Sequence, residues 1–379
     1  MATFLKDRLI QAREIRGLNK NSLAMLASIS PMSLSNYEAG KQVPRPEGIS
    51  RLSKALAVPE SFFYKPFTPL KTPVFFRAGY RQKKIFQDQW KQYSVWLNEL
   101  IEVFAQYLDF PPLKIPQIDL GPNWETVTDR QIEKIAYDTR EYLGLHFGPI
   151  PNMVKLLENS GCIVLRLSMD SSEDGFSRWI LDEKLPIIFL AKDVTSACRD
   201  RTSAAHELGH LVMHRNITPT EKNLKIIEHQ AWLFAAAFLL PEKGYARDFT
   251  YASLSNFVKL KEKWKVSIAA QIMRCAHLEF INENSKRNLF INLSKKGWKT
   301  SEPLDDSLPL EEPNLLTACI NLLTETMNIP QHEIAEQIGL PVQDIARLVG
   351  MPIDYFDPID RNEKLASPRA KIIPFSSPH

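Results

Sequence analysis

The sequence predicts an α+β protein that is mostly helical, and three features indicate this class. Apolar residues recur at helical spacing through most of the 379 positions. Three short apolar runs between residues 162 and 191 are typical of a small antiparallel sheet. The motif His206-Glu207-Leu208-Gly209-His210 follows on a helix. We therefore expect a helical N-terminal domain, a domain that holds the sheet and this helix, and a helical C-terminal region.

The composition predicts a cytoplasmic globular protein with no membrane association. Apolar residues make up 44% of the chain and charged residues 24%, which is ordinary for such proteins. No run reaches the ~18 to 20 apolar residues needed to cross a bilayer. The start MATFLKDRLIQAR carries charges where a signal peptide needs an apolar segment. Four widely spaced cysteines predict reduced thiols: Cys162, Cys198, Cys275 and Cys319.

The first 65 residues form a basic module that is predicted to consist of several short helices. They contain ten Lys and Arg residues against five Asp and Glu, while the whole chain carries only +3. Such asymmetry is typical of a domain that contacts phosphates. The predicted helices cover 4–16, begin again at Asn21 or Ser22, begin a third time after an N-cap at Ser30, and cover 47–56. Two short helices joined by a tight turn form a helix-turn-helix, whose second helix enters the major groove.

This module resembles the XRE-type (Cro and lambda-repressor-like) helix-turn-helix family. The residues that carry the resemblance are Arg13…Gly17, Leu23-Ala24, Ile29-Ser30, Ser33-x-Ser35, Tyr37-Glu38-x-Gly40-Lys41, Pro44-x-Pro46 and Leu52…Ala55-Leu56. It implies a lambda-repressor-like core of Leu23, Ala24, Leu34 and Tyr37. It also implies base contacts by Met32, Ser33 and Asn36, and phosphate contacts by Lys20, Lys41 and Arg45. One module reads one half-site, so a homodimer is expected on a double-stranded DNA operator. The alternative is a module that contacts only protein.

Residues 66–127 are predicted to form a helical linker. The segment QDQWKQYSVWLNELIEVFAQYL has one broad apolar stripe, which indicates a helix packed against its neighbours. Its members are Trp90, Tyr93, Trp96, Leu97, Leu100 and Phe104. The proline-bearing stretch FPPLKIPQIDLGP then reads as a connector, and we place a domain boundary there.

The three apolar runs CIVLRLSM, GFSRWIL and LPIIFLA, separated by turns at SSEDG and LDEK, predict the strands of the sheet. An edge strand beside the helix of the histidine motif would let an extended peptide pair as a further strand.

The motif at 206–210 predicts a zinc site. His206 and His210 stand four residues apart, so both imidazoles lie on one helix face and can bind one ion. Glu207 is rotated away by about one hundred degrees, where a carboxylate can act as general base toward a zinc-polarised water. His214 lies ~12 Å along the axis from His206, which excludes one zinc shared by all three histidines.

The third ligand is expected on the next predicted helix. Glu228 borders the apolar face of the segment KNLKIIEHQAWLFAAAFLLPEKG, whereas Glu221 and Glu242 lie outside its core. A His₂Glu set is a common zinc site. The alternatives are that Glu228 lies on a solvated face and that Cys198 supplies a thiolate, although an ordinary buried thiol is favoured for Cys198.

The same region resembles the ImmA/IrrE-type metallopeptidases. The resemblance rests on the stretches 144–164, 174–179, 186–190, 205–214 and 227–241. It implies a zincin-like domain with His206 and His210 as ligands, Glu207 as the catalytic residue and Glu228 as the further ligand. Many members carry Glu directly before the alanine of the last stretch, where this chain has Gln230. That departure leaves the third ligand open.

The predicted organisation is therefore a DNA-binding domain at 1–65, the linker at 66–127, a metallopeptidase domain at 128–250, a helical C-terminal region at 251–365 and a tail at 366–379. The two resemblances imply a transcriptional regulator with a zinc-dependent endopeptidase. It would cleave a repressor, a toxin-antitoxin-like partner or itself in response to a stress signal. The alternative is a DNA-binding sensor whose peptidase-like fold binds a ligand or partner and cuts nothing.

Overall fold

The computed structural model describes residues 3–66, 68–70, 72, 74–76, 84–168, 175–181 and 184–357. In that part of the chain, sixteen α-helices surround one four-stranded sheet. This confirms the mostly helical α+β class. The predicted tail at 366–379 lies outside the described residues, as does Asp174 at the start of one stretch that carries the second resemblance.

The N-terminal module is a set of four helices: α1 (Lys6–Ile15), α2 (Lys20–Leu26), α3 (Pro31–Glu38) and α4 (Pro46–Leu56). Ser30 caps α3 as predicted, because its side chain accepts a hydrogen bond from the backbone N–H of Ser33. Gly40 follows α3 with φ +71°, a conformation that favours glycine. The second helix begins earlier than predicted, since Asn19 is its cap and accepts from the N–H of Ser22.

The linker contributes a strand as well as the predicted helix. Strand β1 (Val74–Phe76) joins the sheet, and α5 (Lys84–Phe104) follows it. The predicted apolar stripe of α5 is buried, with Tyr93 partly exposed. After α5 the chain runs extended across the molecule, where the N–H of Ile118 donates to the carbonyl of Val212.

The next helices and strands carry the centre of the molecule. They are α6 (Asp129–Tyr142), α7 (Met153–Asn159), β2 (Ile163–Leu167), β3 (Gly175–Ile180), β4 (Leu185–Ala191), α8 (Ala197–Met213) and α9 (Leu224–Leu239). The remaining helices are α10 (Glu242–Asp248), α11 (Leu254–Trp264), α12 (Ile268–His277), α13 (Glu283–Lys295), α14 (Leu315–Asn321), α15 (Gln331–Ile338) and α16 (Val342–Val349).

The sheet is mixed, which corrects the expectation of an antiparallel sheet. Its strand order is β1-β3-β4-β2, in which β1 and β4 both pair antiparallel with β3. Strand β2 pairs parallel with β4, with Ile163 opposite Ile187. The continuous apolar sequence LPIIFLA of β4 is buried throughout, as expected for a strand covered on both faces. Strands that are neighbours along the chain are therefore not always neighbours in the sheet.

The sheet separates two hydrophobic cores. Ile163, Leu165 and Leu167 of β2 face one core, while Val164 faces the other, as the two-residue period of a strand requires. The first core also contains side chains from α1–α5 and α14–α16. The second contains α6–α13. The C-terminal helices are thus divided between the cores, and the domain boundaries stay predictions.

The loop before α14 wraps the second core. The fully buried ammonium of Lys261 on α11 contacts Glu302 at 2.8 Å and Asp305 at 2.7 Å. Burial raises the pKa of the Asp305 carboxyl, but the Lys261 ammonium and hydrogen bonds from Glu302 and Ser196 outweigh it and lower that pKa overall. Among the described residues, no helix is both long and apolar enough to cross a membrane.

Candidate metal centre

Helix α8 carries the two histidines of the motif in a fully buried position. The side chains of His206 and His210 are buried, and their Nε2 atoms lie 3.0 Å apart. Helix α8 packs against α9, β3 and β4, so these rings are enclosed between the sheet and a second helix. The spacing of four residues therefore brings both nitrogens to one point, as the sequence predicts.

Glu228 on α9 reaches the same point. Its carboxylate oxygens lie 3.3 Å from Nε2 of His206 and 3.4 Å from Nε2 of His210. Among the described residues, this trio forms the one group of His, Cys, Asp and Glu side chains whose donor atoms are close enough to hold a metal ion. The structure thus brings together the three residues predicted as ligands.

The spacing of these donor atoms fits a zinc ion. Ligand atoms bound to one tetrahedral zinc at about 2.0–2.1 Å stand about 3.3 Å from one another. The observed separations are 3.0, 3.3 and 3.4 Å. Two imidazole nitrogens and one carboxylate oxygen are also a donor set that zinc accepts. The residues present therefore fit the metal that the motif predicts.

The electrostatics of the group also favour a cation. Burial raises the pKa of Glu228, but hydrogen bonds from His206 and His210 outweigh burial and lower it to about 2. Burial lowers the pKa of His210, whereas the hydrogen bond and charge of Glu228 and the charge of Glu207 raise it above its ordinary value. Both shifts show a pocket that stabilises positive charge where the three donor atoms meet.

Glu207 is buried and lies beside the ligand group without belonging to it. It faces the beginning of β3, because a Cβ placed on Gly175 would lie 3.7 Å from Cγ of Glu207. The side chain of Glu207 therefore lies against the beginning of β3, on the same helix as the two histidines.

His214 ends helix α8 and is fully buried. It lies outside the group of His206, His210 and Glu228. Instead, its Nδ1 lies 3.0 Å from Nδ1 of His210, and its Nε2 lies 2.9 Å from Oε1 of Gln230. Burial, together with the charges of His210 and His206, lowers the pKa of His214 to about 3, so its ring is neutral at neutral pH.

Gln230, which stands where many relatives carry Glu, lies away from the three donor atoms. Gln230 points to His214, and its amide nitrogen donates to the carbonyl of Trp124 at 2.9 Å. Glu228, two residues earlier, faces the histidine pair. Cys198 is buried among Lys261, Asp305, Glu302 and Arg201, outside the ligand group, and burial raises the pKa of its thiol to about 11.

Trp232 is a neighbour of the site that sequence reasoning missed. Its ring centroid lies 4.3 Å from that of His206. Trp232 follows Glu228 by four residues on α9, so both side chains lie on the same helix face. The four-residue spacing between Glu228 and this aromatic residue could have predicted that Trp232 lies beside the site.

The linker strand β1 lies along one side of β3, with Phe76 opposite Phe176. The buried guanidinium of Arg178 on β3 fastens the preceding segment by donating to the carbonyls of Leu70 at 2.8 Å and Thr72 at 2.9 Å. It also donates to Oγ of Ser94 at 2.9 Å. Burial lowers the pKa of Arg178 to about 10. Residues 176–178 of β3 are therefore paired with this chain's own linker.

The residues predicted to contact DNA lie on the N-terminal module and differ in how exposed their side chains are. Met32 is 72% exposed at the start of α3, and Lys41 and Arg45 are also exposed. Ser33 and Asn36 are half-buried on the same helix, and Ser30 Oγ donates to Ser33 Oγ at 2.9 Å. Lys20 forms an ion pair with the buried Glu38 at 3.2 Å, so its charge is already partly compensated.

A cavity of about 920 Å³ lies apart from the metal residues, along β2 and helices α14 and α16. Three cationic side chains and one carboxylate line it: Arg166, Lys192, Arg347 and Glu312. Tyr93 of the linker helix closes one side. The cavity thus lies between strand β2 and helices of the first core. Side chains of the N-terminal module belong to the same core.

Two family models match separate parts of the chain. Residues 9–63 match the model described as helix-turn-helix, and residues 157–275 match the peptidase-family model described as the IrrE N-terminal-like domain. The second match spans α7 to α12 and contains all the residues of the metal group. No curated protein matches the chain. Residues 9–63 are thus similar to the XRE-type helix-turn-helix domain of DNA-binding transcription regulators, and residues 157–275 to the IrrE N-terminal-like domain of a metallopeptidase family.

Proposed function

We propose that the protein is a cytoplasmic transcriptional regulator that binds a DNA operator and acts as a zinc-dependent endopeptidase in response to a signal such as stress. The observation that carries the proposal is the meeting of His206, His210 and Glu228 within ligand distance of one another, with Glu207 alongside. The substrate is a regulatory protein, such as a repressor or toxin-antitoxin-like partner, or this chain itself.

The residues divide the chemistry between them. His206, His210 and Glu228 would hold the ion, which when bound supplies a Lewis acid and a polarised water. Glu207 takes the proton of the attacking water and returns it to the leaving amine. The buried position of His206, Glu207 and His210 limits competing water and strengthens their electrostatic effect, while Glu228 is partly exposed.

The substrate peptide would pair with β3. An extended peptide added to this edge lies beside Glu207, because Gly175 begins the strand there. In the described structure β1 has that place. A substrate from another protein must therefore compete with the linker strand, whereas a cleavage within this chain would use a segment already held at the edge.

The N-terminal module supplies the DNA contacts. Met32, Ser33 and Asn36 on α3 are proposed to meet base edges, and Lys20, Lys41 and Arg45 to meet phosphates. A homodimer would place two such helices on two half-sites of one operator. The exposed positions of Met32, Lys41 and Arg45 support this assignment.

A non-proteolytic sensor is the second candidate function, and the cavity beside β2 favours it. A small ligand there would meet Lys192, since Arg166 is paired with Asp200 and Glu312 and Arg347 with Asp344. Tyr93 and Arg347 belong to helices of the core shared with the N-terminal module. Binding there could act on DNA recognition without any cleavage.

A reporter strain separates the two functions. Glu207→Gln removes the general base and leaves the three ligands in place, so a proteolytic switch loses its response to the inducing signal. Glu221→Gln, an exposed glutamate nearby in sequence, is the matched control and should respond as wild type. A normal response in Glu207→Gln would reject the proteolytic function and favour the sensor.

A further inference from the structure

Behind the ligand pair, a buried chain of hydrogen bonds runs from helix α8 to the connector after α5. It begins at the carbonyl of Trp124, which accepts from Nε2 of Gln230 at 2.9 Å. Oε1 of Gln230 lies 2.9 Å from Nε2 of His214, and Nδ1 of His214 lies 3.0 Å from Nδ1 of His210. Gln230, His214 and His210 are each at most 1% exposed.

The carbonyl at one end fixes the direction of every proton in this chain. A backbone carbonyl can only accept, so the amide nitrogen of Gln230 faces Trp124 and its oxygen faces His214. Nε2 of His214 must then carry the proton that it donates to this oxygen. A neutral imidazole has one proton, so Nδ1 of His214 is an acceptor, and Nδ1 of His210 donates to it.

We infer that His214 and Gln230 are positioning residues that orient the ring of His210 and fix its proton on Nδ1, so that the Nε2 lone pair faces the metal position. The inference rests on the metal site of the proposed function. Nε2 of His210 is the atom that lies 3.0 Å from Nε2 of His206. Partners of this kind commonly set the tautomer and basicity of a metal-binding histidine.

The residue type at position 230 follows from the same reasoning. A carboxylate there would face the carbonyl oxygen of Trp124 and leave that carbonyl without its donor. Glutamine therefore supplies both groups that the chain needs, the N–H that Trp124 accepts and the oxygen that accepts from His214.

Zinc affinity of the full-length protein, measured by competition with a chelating dye, tests the inference. His214→Leu removes the acceptor for His210 and should weaken zinc binding by about 10- to 100-fold. His214→Asn can place an amide oxygen where Nδ1 stood, and should recover most of the affinity. Gln230→Leu removes the oxygen that accepts from Nε2 of His214 and should also weaken zinc binding.

A control separates positioning from general destabilisation. Gln271 is also fully buried, and its amide donates to the carbonyls of Phe257 and Val266, away from the metal group. Gln271→Leu should lower the Tm while leaving zinc affinity at the wild-type value. If His214→Leu and Gln230→Leu also bind zinc as tightly as wild type, the inference is wrong.

Nitrogen-15 spectra of the histidine rings in the metal-free protein provide a second readout. The inference predicts a proton on Nδ1 of His210 and on Nε2 of His214, and a mixture of tautomers at both rings in Gln230→Leu. The opposite tautomer of His210 in wild type would overturn it. A protein with the predicted tautomers and zinc affinities that nevertheless cuts no substrate would disprove the proteolytic function alone.

Discussion

Arg16 of helix α1 and Asp344 of helix α16 form a two-pronged ion pair across 328 positions of the sequence. The two guanidinium nitrogens of Arg16 donate to the two carboxylate oxygens of Asp344 at 3.0 and 2.7 Å. The Asp344 side chain is 2% exposed, and the guanidinium also lies over the ring of Trp96. This pair links the N-terminal module to the C-terminal helices, and both contribute side chains to the same hydrophobic core.

Breaking this pair should destabilise the junction. Asp344→Ala leaves the Arg16 guanidinium half-buried without its carboxylate, at a cost of about 3 kcal/mol in the free energy of unfolding. Arg347 contacts the same carboxylate at 3.2 Å but is 52% exposed, so Arg347→Ala should cost at most about 1 kcal/mol. Urea denaturation compares the two variants. Equal losses of stability would show that the Arg16 ion pair adds nothing of its own.

Loosening the linker strand should expose the edge of β3. Arg178→Leu removes the donors that hold the carbonyls of Leu70 and Thr72, so hydrogen exchange over 68–76 should become faster than in wild type. If a substrate peptide competes with β1, cleavage of an added peptide should also rise several-fold. Arg51→Leu, which removes an exposed arginine of the N-terminal module, is the control. Unchanged exchange in Arg178→Leu would contradict the clamp.

Side chains that read bases and side chains that bind phosphates should respond differently to substitution. Asn36→Ala combined with Ser33→Ala should lower the preference for the operator over other DNA, by about 1–3 kcal/mol for each base-reading side chain removed. Lys41→Ala should weaken binding to all sequences and reduce the salt dependence by about one charge. Fluorescence titrations at several salt concentrations measure both. If the double variant binds the operator as well as wild type does, the assignment of α3 to the major groove is wrong.

The ion pair of Asp305 with buried Lys261 predicts an acid-sensitive contribution to stability. The folded pKa of Asp305 lies below its ordinary value of 3.8, so its carboxylate stabilises the protein above that pH. This contribution is lost as the pH falls through the lower, folded pKa. Asp305→Asn should therefore be less stable than wild type at pH 7, by about 1–3 kcal/mol. The difference should shrink when urea midpoints are compared near pH 3, and a constant difference would reject the assignment.

Features with local causes were predictable from the sequence. The cap at Ser30 acts within one turn, and the spacing of His206 and His210 puts both rings on one face whatever surrounds them. Position 228 was reached because it borders the apolar face of the next helix. In the structure its carboxylate does lie between the histidines.

Features that depend on distant parts of the chain were not predictable. The parallel pairing of β2 with β4 and the arrival of β1 at β3 follow from how the strands are arranged in space, which the apolar runs alone do not encode. The partners of His214 and Gln230 also come from elsewhere, since Trp124 lies 106 residues before Gln230. One sequence predicts side-chain types at such positions, but not the groups they meet.

The metal content of the purified protein tests the central claim most directly. We expect one zinc ion per chain in wild type, measured by elemental mass spectrometry, and the same content in the control Glu242→Ala. Glu228→Ala should lose most of the zinc, because it removes one of the three donors that meet in the buried group. Wild-type protein without zinc, or Glu228→Ala with the full wild-type content, would contradict the assignment of His206, His210 and Glu228 as the metal centre.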